Sequence, residues 1–246
     1  MFNKQSVRGE IKRREFLRST ATAAAVAVGA RVGAGVGAGV GARWGISVAS
    51  AEDAPASGRL SPEAALDALA AGNQRYVGNR MTSGGRDLSS LRQRTIDKQT
   101  PFAAVLACAD SRVPVELLFD QSIGDVFVTR VAGNIATPEI IASLEYGVAV
   151  LGVSALVVLG HTHCGAVKAA MKADAVPGQI SALYAYLRPA VEQSAGNVET
   201  AIEANSRLQA TLLRSSSPVI RDAVAARTLK VATGVYDIGT GKVTLG

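Results

Sequence analysis

Cysteine and histidine are scarce in this chain: there are two of each among 246 residues, with a single tryptophan and only 4% aromatic residues. Two cysteines exclude a disulfide-rich scaffold, and they are too few for a four-cysteine zinc ribbon or an iron–sulfur site. An excess of acidic residues is also missing, with 20 Asp plus Glu against 26 Lys plus Arg. Apolar residues are plentiful at 48%, and charged ones make up 19%. That balance excludes an intrinsically disordered chain and is ample for a buried core. The length suits one large domain or two small ones.

A net charge of +6 would ordinarily point to nucleic acid or an anionic surface. Its location removes that reading. Residues 1–51 carry eight basic residues (Lys4, Arg8, Lys12, Arg13, Arg14, Arg18, Arg31, Arg43) and two acidic ones (Glu10, Glu15), so the remainder is formally neutral. No nucleic-acid partner is expected.

The same stretch reads as an export signal, from Lys12 through KRREFLRST, a glycine-diluted apolar region to Ala42, and an A-x-A site at Ala49, Ser50 and Ala51. Arg13 and Arg14 followed by Glu15, Phe16 and Leu17 resemble the twin-arginine motif. Cleavage is expected after Ala51, which makes 1–51 the signal and 52–246 the functional domain of a periplasmic or secreted protein. An uncleaved anchor is the alternative, although Arg31 interrupts the apolar run. No stable membrane association is expected once the signal is removed. The glycine repeat RVGAGVGAGVGAR follows no strand, which argues against a dinucleotide-binding loop.

Beyond the signal, Ser61, Pro62 and Glu63 have the chemistry of a helix start, and Leu66, Leu69, Tyr76 and Val77 follow at helical spacing. A second helix is expected from Leu88 to Lys98. From Pro101 the pattern changes. The short apolar, β-branched runs at 102–108, 125–130, 154–161 and 229–237 have the character of strands buried on both faces. Helical patterns alternate with them at Pro138–Val150, Ala166–Lys172, Ile180–Gln193, Val198–Leu213 and Pro218–Ala226, and the final GTGKVTLG reads as a hairpin return. The predicted fold is therefore α/β: a mostly parallel central sheet of four strands plus one antiparallel edge strand, flanked by helices. Ligands of such sheets sit beyond the carboxyl ends of the strands, where Cys108 and His161 fall.

All the cysteine and histidine lies in two clusters, CADSR at 108–112 and HTHC at 161–164. Two thiolates and an imidazole make a tetrahedral zinc set with one open position, the arrangement of a catalytic site. Three bland readings stand beside it. A Cys108–Cys164 disulfide suits an exported protein, although it leaves the histidines, Asp110 and Arg112 unexplained. A classical zinc finger needs paired motifs and a basic surface, and Cys108 has no nearby partner cysteine; buried inert cysteines are common. Separately, Asp110 and Arg112 fit an ordinary solvated pair.

These motifs resemble the two signatures of the β-class carbonic anhydrases, CxDSR and GHxxCG, present as CADSRVP and GHTHCGA roughly fifty residues apart. The resemblance extends from ALDALAAGNQRYV to the closing VATGVYDIGTGKV and excludes the N-terminal segment. It implies one zinc per subunit, held by Cys108, His161 and Cys164, and the interconversion of CO2 and bicarbonate. It makes Asp110 and Arg112 a catalytic dyad: the paired carboxylate leaves the fourth position open, and the released one closes it. It also implies that Gln99, Phe127, Tyr146 and Gly165 bind substrate, with Tyr146 supplied by the partner subunit of a homodimer or tetramer. A helix at 61–80 without an obvious partner in its own α/β unit points the same way. His163 is expected to be a loop residue rather than a ligand, with a proton-relay role as the alternative. Val105 stands where bicarbonate-inhibited members have tryptophan, so such regulation is not expected, and Arg130 reads as an ion-pairing residue. Two other functions fit the same residues: hydrolysis of a CO2-like molecule such as carbonyl sulfide or carbon disulfide, and non-catalytic zinc binding in the periplasm.

Overall fold

A computed structural model describes residues 59–246. The proposed export signal and the cleavage site after Ala51 lie outside the described residues.

Five strands form one sheet: β1 (Ala103–Ala107), β2 (Val126–Arg130), β3 (Ala155–His161), β4 (Lys230–Tyr236) and β5 (Val243–Leu245), in the order β2-β1-β3-β4-β5. The first four are parallel and β5 pairs antiparallel with β4, as the alternating pattern predicts. The Asp237 carboxylate shapes the β4–β5 turn by accepting the N–H groups of Gly239 and Thr240.

Among the described residues, eight α-helices cover the sheet: α1 (Pro62–Val77), α2 (Leu88–Arg94), α3 (Val115–Leu118), α4 (Pro138–Ala149), α5 (Gly165–Lys172), α6 (Tyr184–Glu192), α7 (Val198–Ser216) and α8 (Pro218–Ala225). Their starts follow local chemistry. Ser61, Asp87, Asn197 and Ser217 each accept a backbone N–H from the first turn, and proline opens α1, α4 and α8. The predicted helix at Ile180–Gln193 begins instead with a 3-10 turn, and α2 ends four residues short of Lys98. Among the described residues, no helix is long and apolar enough to cross a membrane.

The two-residue period of the central strands sorts their side chains into two cores. Ala103, Val105, Ala107, Ala155, Val157 and Leu159 face α1 and α3. Ala104, Leu106, Leu156 and Val158 face α4, α7 and α8. Both faces of β1 and β3 are buried, which is why these strands read as continuous apolar runs.

The first helix has partners within its own chain, contrary to the expectation that it lacked them. Ala65 and Leu69 join the core against α3 and the sheet. At Gly72 the helix meets backbone directly: a Cβ there would lie 1.8 Å from the carbonyl oxygen of Phe119. Asn73, one residue on, donates to the carbonyls of Leu118 and Gly241 and accepts the N–H of Val243, so it ties α1 to both α3 and β5. A glycine and an asparagine on the inner stripe dilute the apolar signal of this face, which hides its partner from a reading of hydrophobic period.

Candidate metal centre

The parallel pairing of β1 with β3 decides where the rare residues meet. Cys108 follows the last residue of β1, His161 is the last residue of β3, and the two strands are neighbours in register. Cys164 arrives three residues later as the N-cap of α5. The turn between them is tight, with His163 in the left-handed region at φ 60°. The N–H of Thr162 donates to the carbonyl of Tyr236, and its hydroxyl accepts the N–H of Ile238, fastening this turn to β4 and its following loop.

Cys108, His161 and Cys164 are all buried, and their three donor atoms lie within 4.8 Å of one another. Both cysteines are free, so the disulfide alternative is not adopted. His161 Nδ1 lies 3.0 Å from the carbonyl oxygen of Thr162, which accepts its N–H and leaves the lone pair on Nε2. That Nε2 is buried and finds no hydrogen-bond partner among the described residues. An orphaned imidazole nitrogen beside two buried sulfurs is costly unless it meets a cation, so the donor set fits a metal ion such as zinc. The fixed Nδ1 partner is the support that metal-binding histidines need.

The two sulfurs share their surroundings unequally. Hydrogen bonding from Cys164, and then from the Gly133 N–H, pulls the Cys108 thiol down against the opposing effect of burial. The same Cys108 contact, with burial, pushes Cys164 up, although the N–H groups of Val167 and Ala166 at the start of α5 favour its thiolate.

Asp110 and Arg112 meet as a bidentate pair, with Nε to Oδ1 at 2.9 Å and Nη2 to Oδ2 at 2.7 Å. The Arg112 N–H also donates to Oδ1. The guanidinium holds the Asp110 carboxyl well below the usual carboxylate range, overcoming partial burial. Asp110 Oδ2 is 3.9 Å from His161 Nε2, so the pair borders the donor cluster.

The other residues singled out in the sequence are placed as follows. Gly165 is the first residue of α5, has open space where a Cβ would stand, and borders a cavity of about 250 Å³ shared with Lys168, Lys172 and Tyr184. Gln99 lies exposed in the loop before β1. Phe127 and Tyr146 pair with each other, ring centroids 6.3 Å apart. Phe127 is level with Ala104, four residues and thus about 13 Å before Cys108 along the strand direction. The His163 ring is largely exposed and lies 3.9 Å from Glu199.

Two contributors escaped the sequence reading. Expected as an ion-pairing residue, Arg130 forms no ion pair among the described residues; it donates through Nε to the carbonyl of Cys108 at 3.0 Å and through Nη2 to that of Asp110. It thereby clamps the turn that carries both side chains. Gly133 donates its N–H to Cys108 Sγ at 3.2 Å. Its φ is +79°, and a Cβ there would press on Leu187 at 3.1 Å. The Gly133-Asn134 dipeptide was a visible turn signal, but its partner sulfur was not.

The chain is similar to several known proteins. Residues 103–243 match the family model described as carbonic anhydrase. Carbonic anhydrase 2 of Mycobacterium tuberculosis strain H37Rv is 33% identical over 199 residues, covering 75% of this chain and 93% of the relative. The carbonic anhydrase of Pseudomonas aeruginosa is 37% identical over 172 residues, covering 63% and 77%. Among solved structures, the β-carbonic anhydrase CcaA superposes with a TM-score of 0.59 at 26% identity, covering 73% of this chain and 94% of that one. Two tetrameric β-carbonic anhydrases of Sordaria macrospora are represented by a chain with a TM-score of 0.58 at 26% identity, covering 71% and 93%. With the family model spanning more than half of its length and the donor set at the carboxyl edge of its sheet, the chain belongs to the β-class carbonic anhydrases.

Proposed function

We propose that this chain catalyses the reversible hydration of CO2 to bicarbonate and a proton, using one zinc ion per subunit held by Cys108 Sγ, His161 Nε2 and Cys164 Sγ. The observation that carries the reading is the convergence of those donors within 4.8 Å in a member of this family. Zinc bound there supplies a Lewis acid that lowers the pKa of a water, more modestly with two thiolates than with neutral imidazoles.

The protein's own residues set the geometry around that chemistry. Arg112 keeps Asp110 ionised and oriented, a hydrogen-bond acceptor at the border of the donor cluster. Held this way, Asp110 would leave the metal open to water; released from Arg112, its carboxylate, with Oδ2 3.9 Å from His161 Nε2, could serve as a further oxygen ligand and close the site. Arg130 fixes the backbone on which that choice depends. Gln99 is assigned as a hydrogen-bond donor to bicarbonate, and the Gly165 backbone as a surface for the small substrate. Phe127 and Tyr146 offer an apolar wall suited to an uncharged gas. Their distance from their own cluster and the 48% exposure of Tyr146 support a role in the site of a neighbouring copy, within a homodimer or tetramer. The tetrameric proteins of Sordaria macrospora support that assembly by analogy.

Export by the twin-arginine route is part of the same reading, supported by Arg13, Arg14 and the concentration of charge in residues 1–51. That route carries folded proteins, which suits an enzyme that acquires its metal while folding. The mature domain would then act in the periplasm or outside the cell, and its formal neutrality fits a small-molecule substrate.

Stopped-flow CO2 hydration by the zinc-loaded protein tests the activity. Hydration rising towards pH 8.5 is expected; none at that pH with zinc bound would sink the reading. N-terminal sequencing of the exported protein tests the cleavage after Ala51.

A further inference from the structure

The loop from β2 to α4 passes behind Cys108, and α7 holds it there. Asn205 Nδ2 donates to the carbonyl oxygen of Gly133 at 2.8 Å, and the Gly133 N–H donates to Cys108 Sγ at 3.2 Å. Asn205 is itself braced: its Oδ1 accepts from Gln209 Nε2 at 3.1 Å, and that nitrogen also donates to the carbonyl of Tyr186. Gln209 Oε1 accepts the N–H of Ala136, so the two amides grip both ends of one short stretch, residues 133–136.

Asn205 is 1% exposed and Gln209 3%, on a helix whose buried face also carries Ala201, Ile202, Ala204, Ser206, Ala210 and Leu213. Two buried amides are a costly way to fill that face, and apolar side chains would pack there without needing partners. Their placement makes sense through Gly133. A side chain at that position would crowd Leu187 at 3.1 Å and meet the positive φ that glycine tolerates best. The same lack of a side chain leaves the backbone of Gly133 free to rotate, and rotation would swing its N–H off the sulfur. An anchor on its carbonyl removes that freedom.

We propose that Asn205, braced by Gln209, is a positioning residue for the metal centre: it fixes the Gly133 backbone so that the Gly133 N–H stays on Cys108 Sγ and limits the charge this thiolate donates to the metal. The inference rests on the reading of Cys108 as a metal ligand. Outer-shell partners of this kind typically change metal affinity by about 10–100-fold.

The test loads the full chain with Co(II) and records the thiolate-to-cobalt charge-transfer absorption, with zinc affinity measured by competition against a chromophoric chelator. In Asn205→Leu, of similar size but without the donor, the band is expected at lower energy, because a sulfur relieved of its hydrogen bond gives up charge more readily. Zinc affinity is expected to fall roughly 10–100-fold, because the lost orientation of Cys108 Sγ outweighs its stronger donation. Gln209→Met, which removes the brace and leaves Asn205, is expected to move both in the same direction by less, and it carries the test alone should Asn205→Leu not fold. Leu213→Ala, a buried change two turns along the same helix, is expected to lower the Tm and leave both readouts unchanged. An unshifted band with unchanged affinity in the folded Asn205 and Gln209 variants overturns the positioning role. A wild-type chain that gives no thiolate–cobalt band overturns the metal-site reading beneath it.

Discussion

Arg130, the last residue of β2, donates through Nε to the carbonyl oxygen of Cys108 at 3.0 Å, and its Nη2 reaches the carbonyl of Asp110. One guanidinium therefore fixes the two peptide units that carry the proposed ligand sulfur of Cys108 and the carboxylate of Asp110. Arg130→Ala is expected to retain zinc but to lower kcat by about 10–100-fold, since small displacements of reacting groups cost that much. Stability should fall by about 1–2 kcal/mol for the lost charged hydrogen bonds. Arg130→Lys should restore only part, because an ammonium lacks the fork that spans both carbonyls. Stopped-flow rates together with zinc content separate these effects; loss of zinc in a folded Arg130→Ala would contradict the assignment.

The two histidines of HTHC should behave oppositely. His161 has a fixed Nδ1 partner and a buried, unpartnered Nε2, whereas the His163 ring is largely exposed. His161→Ala is expected to release zinc, a larger loss than the roughly 10–100-fold of an outer-shell change. His163→Gly should keep zinc and remain within about 1 kcal/mol of wild-type stability, since glycine tolerates the left-handed φ of 60° but gains freedom when unfolded. Metal analysis after dialysis checks both, and the reverse result would exchange their roles.

Much of this is legible in the sequence alone, for reasons particular to the residues concerned. Cys108, His161 and Cys164 stood out because cysteine and histidine are so scarce, and β1 and β3 because strands buried on both faces leave unbroken apolar runs. α3 was not legible: at four residues, Val115–Leu118 is too short to display a helical period. The Arg130 clamp and the Asn205 anchor were hidden for another reason. Their partners are backbone carbonyls, which every residue carries, so no side-chain pattern announces them. The role of Gln209 is likewise invisible on an amphipathic helix, where an isolated polar residue reads as surface.

Acid stability should depend strongly on Asp120. Its side chain is 0% exposed and pairs with Arg75, while the N–H groups of Thr82 and Ser83 also donate to it. Burial alone would raise its pKa, but these partners outweigh burial and hold the carboxyl below its ordinary value. A depressed folded pKa means the stabilisation is complete above the unfolded value of about 3.9 and fades as pH falls through the folded one. Asp120→Asn is expected to lose about 2–3 kcal/mol at pH 7; Arg75, 34% exposed, can rehydrate and limits the loss. Denaturant midpoints at pH 7, 5 and 3 should show wild type and variant converging towards the most acidic point. A gap that stays constant across the three would contradict the assignment.

Removing the metal should expose the inequality of the two cysteines. In the metal-free protein, hydrogen bonding from Cys164 lowers Cys108, and the same contact with burial raises Cys164. Around neutral pH the pair then holds one proton, and binding zinc as a dithiolate must expel it. The apparent zinc affinity is therefore expected to rise roughly tenfold per pH unit between pH 6 and 8, the signature of one proton released. Two ordinary thiols would release two protons and give roughly a hundredfold per unit. Chelator competition at three pH values reads the slope directly. Zinc at 100-fold above its dissociation constant should stabilise the fold by about 2.7 kcal/mol, so the Tm should climb with free zinc. A slope of two protons would mean that Cys108 is an ordinary protonated thiol before metal arrives, and that the Gly133 and Cys164 hydrogen bonds do not prepare it.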